Sequence, residues 1–275
     1  MTTLQKVIKY LAIALALFLC LSIIGGIITG LAGISYLFSG TDEEVLGEMQ
    51  TYALDGEVSS LSVDLSGAEL KIKSADVFSV ESNHKYISVE QKNGRISVKE
   101  TKRPFAFSPK GVTVILNIPE GFVFDEAKIE TGAGRVEIDV LSADVLSLSL
   151  GAGEVKIKNL TANSRADIDG GAGALSIDGG KLCNLELDMG VGELTLKSRL
   201  EGECELDYGV GTTNLTLMGA REDYCIRIDK GIGDARIEGA SMQDGSVCGA
   251  GENRIDIDGG VGAINIFFSA SENEN

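Results

Sequence analysis

The chain has 275 residues, 44% of them hydrophobic, which is enough for a sizeable core and excludes disorder as the main state. Its 24 basic and 41 acidic residues give a net charge of −17, which argues against a phosphate backbone, and so nucleic acid, as a partner. Thirty-five glycines with only three prolines exclude a collagen-like chain, and a single histidine leaves little for His-based metal or acid–base chemistry.

The first predicted element is a transmembrane signal anchor within residues 1–40. No charged residue occurs from Tyr10 to Gly40, and about 20 apolar residues suffice to cross a bilayer. Lys6 and Lys9 precede the run, and Asp42, Glu43 and Glu44 follow it. That asymmetry predicts a cytoplasmic N-terminus, a lipid bilayer as the partner of residues 10–40, and an extracytoplasmic remainder. A cleaved signal peptide would have a shorter apolar core, and Cys20 follows Leu19 where a lipoprotein signal needs a small residue. Beyond residue 40 stand 22 basic and 41 acidic residues, a net −19 that disfavours anionic headgroups.

Residues 41–54 read as a juxtamembrane linker. Over 55–128, apolar residues alternate with polar ones, as in Leu61/Val63/Leu65, Ile96/Val98 and Val112/Val114/Leu116. These are expected to be irregular β-rungs that cap one end of a regular stack over 129–268. His84 is expected at the surface. The segment 102–111 is expected to be either a loop packed over that end or a partner-binding loop.

Residues 129–268 repeat. Gly-x-Gly occurs at Gly132/Gly134, Gly151/Gly153, Gly171/Gly173, Gly190/Gly192, Gly209/Gly211, Gly231/Gly233 and Gly260/Gly262, with a weaker copy at Gly249/Gly251. Successive first glycines are 19, 20, 19, 19, 22 and 29 residues apart. Five and three residues before each stand apolar pairs such as Leu185/Leu187; four and six after stand pairs such as Leu194/Leu196. The apolar positions change parity across the glycines, so each motif is a bulge or corner between two strands. A third stretch, carrying Leu141, Leu160, Leu182, Leu200 and Met218, closes each turn. The fold class is therefore all-β: a β-solenoid of about 20 residues per rung behind one transmembrane helix. Seven rungs at about 4.8 Å make a rod of about 34 Å. Phe267 and Phe268 are expected to seal its far end, before a polar tail at 269–275.

The stretch VTVILNIPEGFVFDEAKIETGAGRVEID with its subsequent LxxGAGxxxI rungs resembles the bacterial putative-adhesin family, a domain of unknown function, over about residues 60–268. The resemblance implies envelope-associated β-solenoids, often behind one transmembrane helix, and some members resemble accessories of envelope-stress operons. It implies no catalytic residues and no cofactor.

An acidic ladder precedes the glycines: Glu130, Asp169, Asp188, Asp207, Asp229 and Asp258. Two readings apply. Each carboxylate caps its corner as an Asx-turn, or Asp169, Asp188, Asp207, Asp229 and Asp258 bind a cation weakly. Cys183, Cys204, Cys225 and Cys248 lack a pairing register and read as free thiols. The chain is not expected to be an enzyme, since it has no tryptophan and few aromatic residues within the rungs to line a sugar cleft. The expected role is a surface interaction or scaffold protein with an unidentified envelope or surface partner. The alternatives are an accessory or sensor of an envelope-stress system and, more remotely, a glycan-processing β-helix enzyme.

Overall fold

A computed structural model describes residues 46–101 and 111–269. The apolar run 10–40, most of the 102–111 loop and nearly all of the polar tail lie outside the described residues, within which no helix is long and apolar enough to cross a membrane.

Alternation of apolar and polar residues produces strands throughout. The first seven are β1 (Leu46–Ala53), β2 (Ser60–Leu65), β3 (Glu69–Ala75), β4 (Ser79–His84), β5 (Ile87–Lys92), β6 (Arg95–Glu100) and β7 (Thr113–Pro119). Then β8 (Phe124–Ile177) runs through several corners without a break. It is followed by β9 (Gly180–Cys183), β10 (Leu185–Glu201) and β11 (Glu203–Met218). The last are β12 (Tyr224–Asp229), β13 (Ile232–Ile237), β14 (Ala240–Ser241), β15 (Ser246–Cys248) and β16 (Asn253–Ser269).

The central strands stack in parallel with like residues opposite like. Leu187 faces Ile168 on one side and Leu206 on the other, and Leu206 faces Ile257. All four are buried, as are Leu194, Leu196, Leu215 and Ile266 beyond the corners. Stacking aligns these columns into one continuous interior, so each rung shields its neighbours' apolar edges. Leu141, Leu160, Leu182 and Leu200 of the third stretch are buried too, whereas Met218 is only half-buried and Leu217 points inward instead.

The stacking order departs from the chain order at both ends. β16 lies between β11 and the β12–β13 turn, and β2–β3 lies between β6–β7 and β8. Every Gly-x-Gly turn offers the same register, so periodicity alone does not choose its neighbours. Edge protection accounts for the choice. Interleaving gives the 17-residue β16 partners on both sides and leaves the short β12 and β13 outside, where β15 and β14 cover them antiparallel. At the other end, β4 and β5 run antiparallel on β7 and β6, and β1 on β4.

Two expectations change as a result. Phe267 and Phe268 do not close the rod, because their strand is internal; Phe267 is 45% exposed and Phe268 packs beside Tyr224. Gly249 and Gly251 form no stacked corner. They lie where the chain passes from β15, outside β12, to β16 inside it, and a Cβ on either would strike the backbone at Asp223–Tyr224.

Candidate functional site

The Gly-x-Gly corners divide the long sides of the rod into two outward faces. At the second glycine of each copy, φ lies between 132° and 155°, a region closed to most side chains. At Gly192 a Cβ would also fall on the carbonyl oxygen of Gly173 in the turn below. The first glycines differ. Gly132, Gly151, Gly171, Gly190, Gly209 and Gly260 have no positive φ, and only Gly231 does, at 59°. Gly190 is glycine for proximity alone: its Cβ would sit 2.5 Å from the oxygen of Gly171. The ladder pairs Met189 with Tyr208 and then Val191 with Val210, so the parity change falls on that first glycine.

Before the corners lies the first face, and it is anionic. Its outward columns are Asp167–Glu186–Glu205–Asp256 and Asp169–Asp188–Asp207–Asp258. Asp229 stacks outside Asp258 and pairs with Arg227 at 3.0 Å. Glu186 is held by Arg165 at 2.5 Å. Burial first, then the charges of Asp188, Asp258 and Glu205, push the Asp207 carboxyl up. Among the described residues, none of Asp169, Asp188, Asp207 and Asp258 accepts a hydrogen bond from the glycine two residues on, so the Asx-turn expectation is not met. The corner N–H groups pair across turns instead, as Ala133 N–H does with Ser66 O at 2.9 Å.

Of the five aspartates named from sequence, two come together in one carboxylate cluster. Carboxylate oxygens of Asp207, Asp258 and Glu205 lie within 4.8 Å of one another. Asp169, Asp188 and Asp229 are not in that set. Glu205 was not legible as a member, because only the insertion of β16 beside β11 brings Asp258 to it.

The second face, after the corners, is different. Thr195–Asn214–Asn265 form one outward column, Glu193–Thr212–Ala263 a second and Lys197–Thr216–Phe267 a third. Asn265 Nδ2 donates to Asn214 Oδ1 at 3.0 Å. A further corner, which carries no glycine pair, is stitched by amides. Asn184, at φ 48°, donates to Ser164 O and accepts from Glu203 N–H. Asn253 likewise bridges Gly202 and Asp223.

His84 corrects a further expectation, because it is buried at 3% exposure. Its Nε2 lies 3.4 Å from Glu100 Oε1, and its Nδ1 accepts the Tyr86 N–H at 3.0 Å. Glu100 Oε2 accepts from the N–H of Ser66 at 3.0 Å and from its hydroxyl. Burial works to raise the Glu100 carboxyl, but the nearby His84 ring and the bonds from Ser66 outweigh it and hold the group below the usual glutamate value. All four cysteines in the described residues are free thiols. Burial pushes Cys204 up to about 11 and raises Cys183 as well, so both behave as small apolar side chains. Cys248 Sγ accepts from Arg221 at 2.8 Å.

Comparison with known proteins adds one assignment. The family model described as Toastrack DUF4097 matches residues 58–242. No curated protein matches the chain. A putative cell adhesion protein from Clostridium sporogenes is 16% identical, with 81% of this chain and 99% of that one covered at a TM-score of 0.37. A putative adhesin from Bacteroides fragilis is 11% identical, with 80% and 96% covered at 0.39. At these scores the likeness carries no argument.

Proposed function

The chain belongs to the Toastrack DUF4097 family, and from that premise we propose that it is a membrane-anchored, extracytoplasmic β-solenoid serving as an interaction or scaffold element at the bacterial surface. The observation that carries this reading is the pair of outward faces. Rigid parallel stacking repeats like side chains on adjacent turns over several rungs, as in Asp169–Asp188–Asp207–Asp258 and Thr195–Asn214–Asn265. Such arrays suit extended, multivalent contact better than the enclosure of a small molecule. The uncharged run Tyr10–Gly40 supports the anchor, and the lysines before it and acids after it support an outward domain.

Two measurements test it. Protease added outside permeable-walled cells should digest the domain and leave a fragment ending near residues 40–50. Protection until lysis would reverse the topology. Photo-crosslinking in intact cells from positions on both faces should capture a wall polymer or a surface protein, and a capture restricted to cytoplasmic proteins would overturn the reading.

A further inference from the structure

On β11 and β16 the two faces separate charge by position. Their outward residues before the corner include Glu205, Asp207, Asp256 and Asp258. After the corner, the same two strands present Thr212, Asn214, Thr216, Ala263, Asn265 and Phe267, six successive outward positions with no charge. Thr195 and Ser176 continue the middle column onto the next two turns, but on the first of these Glu193 and Lys197 flank Thr195 and close the window on that side. Beyond β16, charge returns as a neutralised pair, Arg236 with Asp234 at 3.3 Å.

We propose that this uncharged window binds a neutral glycan chain. The proposal deepens the surface-interaction reading and rests on it. Each component of the window suits a polyhydroxylated ring. The Asn265–Asn214 bond fixes both amides and leaves the Asn214 N–H₂ and the Asn265 oxygen as an oriented donor and acceptor. Thr195, Thr212 and Thr216 add hydroxyls that both donate and accept. Phe267 stands 45% exposed beside them, and an exposed phenyl face takes the apolar C–H side of a sugar. Parallel rungs about 4.8 Å apart keep these groups on one surface, so little ordering is left to do on binding. A cationic partner would be drawn to the carboxylates of the first face, and a lipid surface needs more apolar area than one phenyl ring provides. The window therefore fits an uncharged, hydroxyl-rich polymer.

The test is titration of the full chain in lipid nanodiscs with chitohexaose and cellohexaose, at 20 and 500 mM sodium chloride. Saturable binding of at least one sugar is expected, changing less than twofold between the two salt concentrations. Phe267→Ala and Asn214→Asp should each weaken it at least tenfold, with melting temperatures within a few degrees of the parent's. Asp207→Asn with Asp258→Asn should leave it within twofold. Absence of binding by both sugars at millimolar concentration overturns the proposal, as does binding that survives both window variants or collapses in high salt. If both sugars fail while window crosslinks in cells reach a surface protein, the interaction reading stands and the glycan does not. If nothing is captured from either face, both fall.

Discussion

Glu100 takes the backbone N–H of Ser66 at 3.0 Å, and Ser66 opens the corner that stacks outside Gly132–Gly134. At the neighbouring corner Ala133 gives its N–H to the Ser66 carbonyl at 2.9 Å. Among the described residues Ser66 gives its N–H to no carbonyl of another turn, and the Glu100 carboxylate accepts it. The same carboxylate meets His84 on β4, so one side chain joins β4, β6 and the first corner.

Glu100→Gln should therefore destabilise the fold by about 1–3 kcal/mol at neutral pH, the usual worth of buried hydrogen bonds to a charged group. The pH dependence comes from the carboxyl being held below its usual value. Its contribution is present in full above the unfolded glutamate value of about 4.3 and is lost as pH falls through the lower folded value. Urea melts over a series from pH 7 downward should show the gap between the parent and Glu100→Gln narrow as the pH falls below the unfolded glutamate value. A gap that does not change with pH would mean that the carboxylate charge has no part in holding Ser66.

The two glycines of a corner should differ in tolerance. Gly192 has φ 144° and a Cβ there would strike Gly173, whereas Gly190 suffers only the close approach to Gly171. Backbone strain of this kind costs about 1–3 kcal/mol on its own, so Gly192→Ala should lower the melting temperature more than Gly190→Ala. Thermal melts of the two variants decide this, and the reverse order would show that φ does not distinguish the positions.

The inward columns are legible in the sequence because burial imposes a period of two on each strand. Ile168, Leu187, Leu206 and Ile257 occupy the same offset from their glycines and share one interior column. The parity change also marks the corners correctly, although it offers one reason for both glycines where there are two. What periodicity does not supply is the order of stacking. A turn built on Gly231–Gly233 and one built on Gly260–Gly262 present the same pattern to Gly209–Gly211, and only the length of the exposed edge separates them. The carboxylate set of Glu205, Asp207 and Asp258 and the uncharged window both depend on that order. His84 is illegible for another reason: its partner Glu100 lies 16 residues away, and nothing local announces a buried pair.

Paired cysteines test the interleaved order directly. Asn265 stands opposite Asn214 on one side and Arg236 on the other. Adjacent rungs place paired Cα atoms about 4.8 Å apart, within disulfide reach, and alternate rungs about twice that, beyond it. Mild oxidation should therefore link Asn214→Cys to Asn265→Cys, and leave Asn214→Cys unlinked to Arg236→Cys, as read by peptide mapping. Stacking in chain order would give the opposite result.

The anionic face should weaken the fold at neutral pH. Neighbouring unit charges about 4.8 Å apart repel by roughly 0.9 kcal/mol even at the dielectric of water, and Asp188, Asp207 and Asp258 stack on successive turns. Asp207 is the carboxyl pushed up, by burial first and by Asp188, Asp258 and Glu205 next. Its folded value lies above its unfolded one, so the folded state binds the proton more tightly, and the destabilisation is relieved as pH falls through that raised value. Asp207→Asn should leave stability unchanged or raise it at pH 7, with a smaller effect at pH 4. Monovalent salt should raise the parent's melting temperature by screening, and should do so less in the variant. Calcium at matched ionic strength should add nothing if repulsion is all that links these groups. If Glu205, Asp207 and Asp258 chelate instead, calcium will stabilise by ligand linkage, about 2.7 kcal/mol at a hundredfold excess over its dissociation constant. A calcium-specific rise of several degrees, abolished by Asp207→Asn, would show that repulsion is the wrong account of this face.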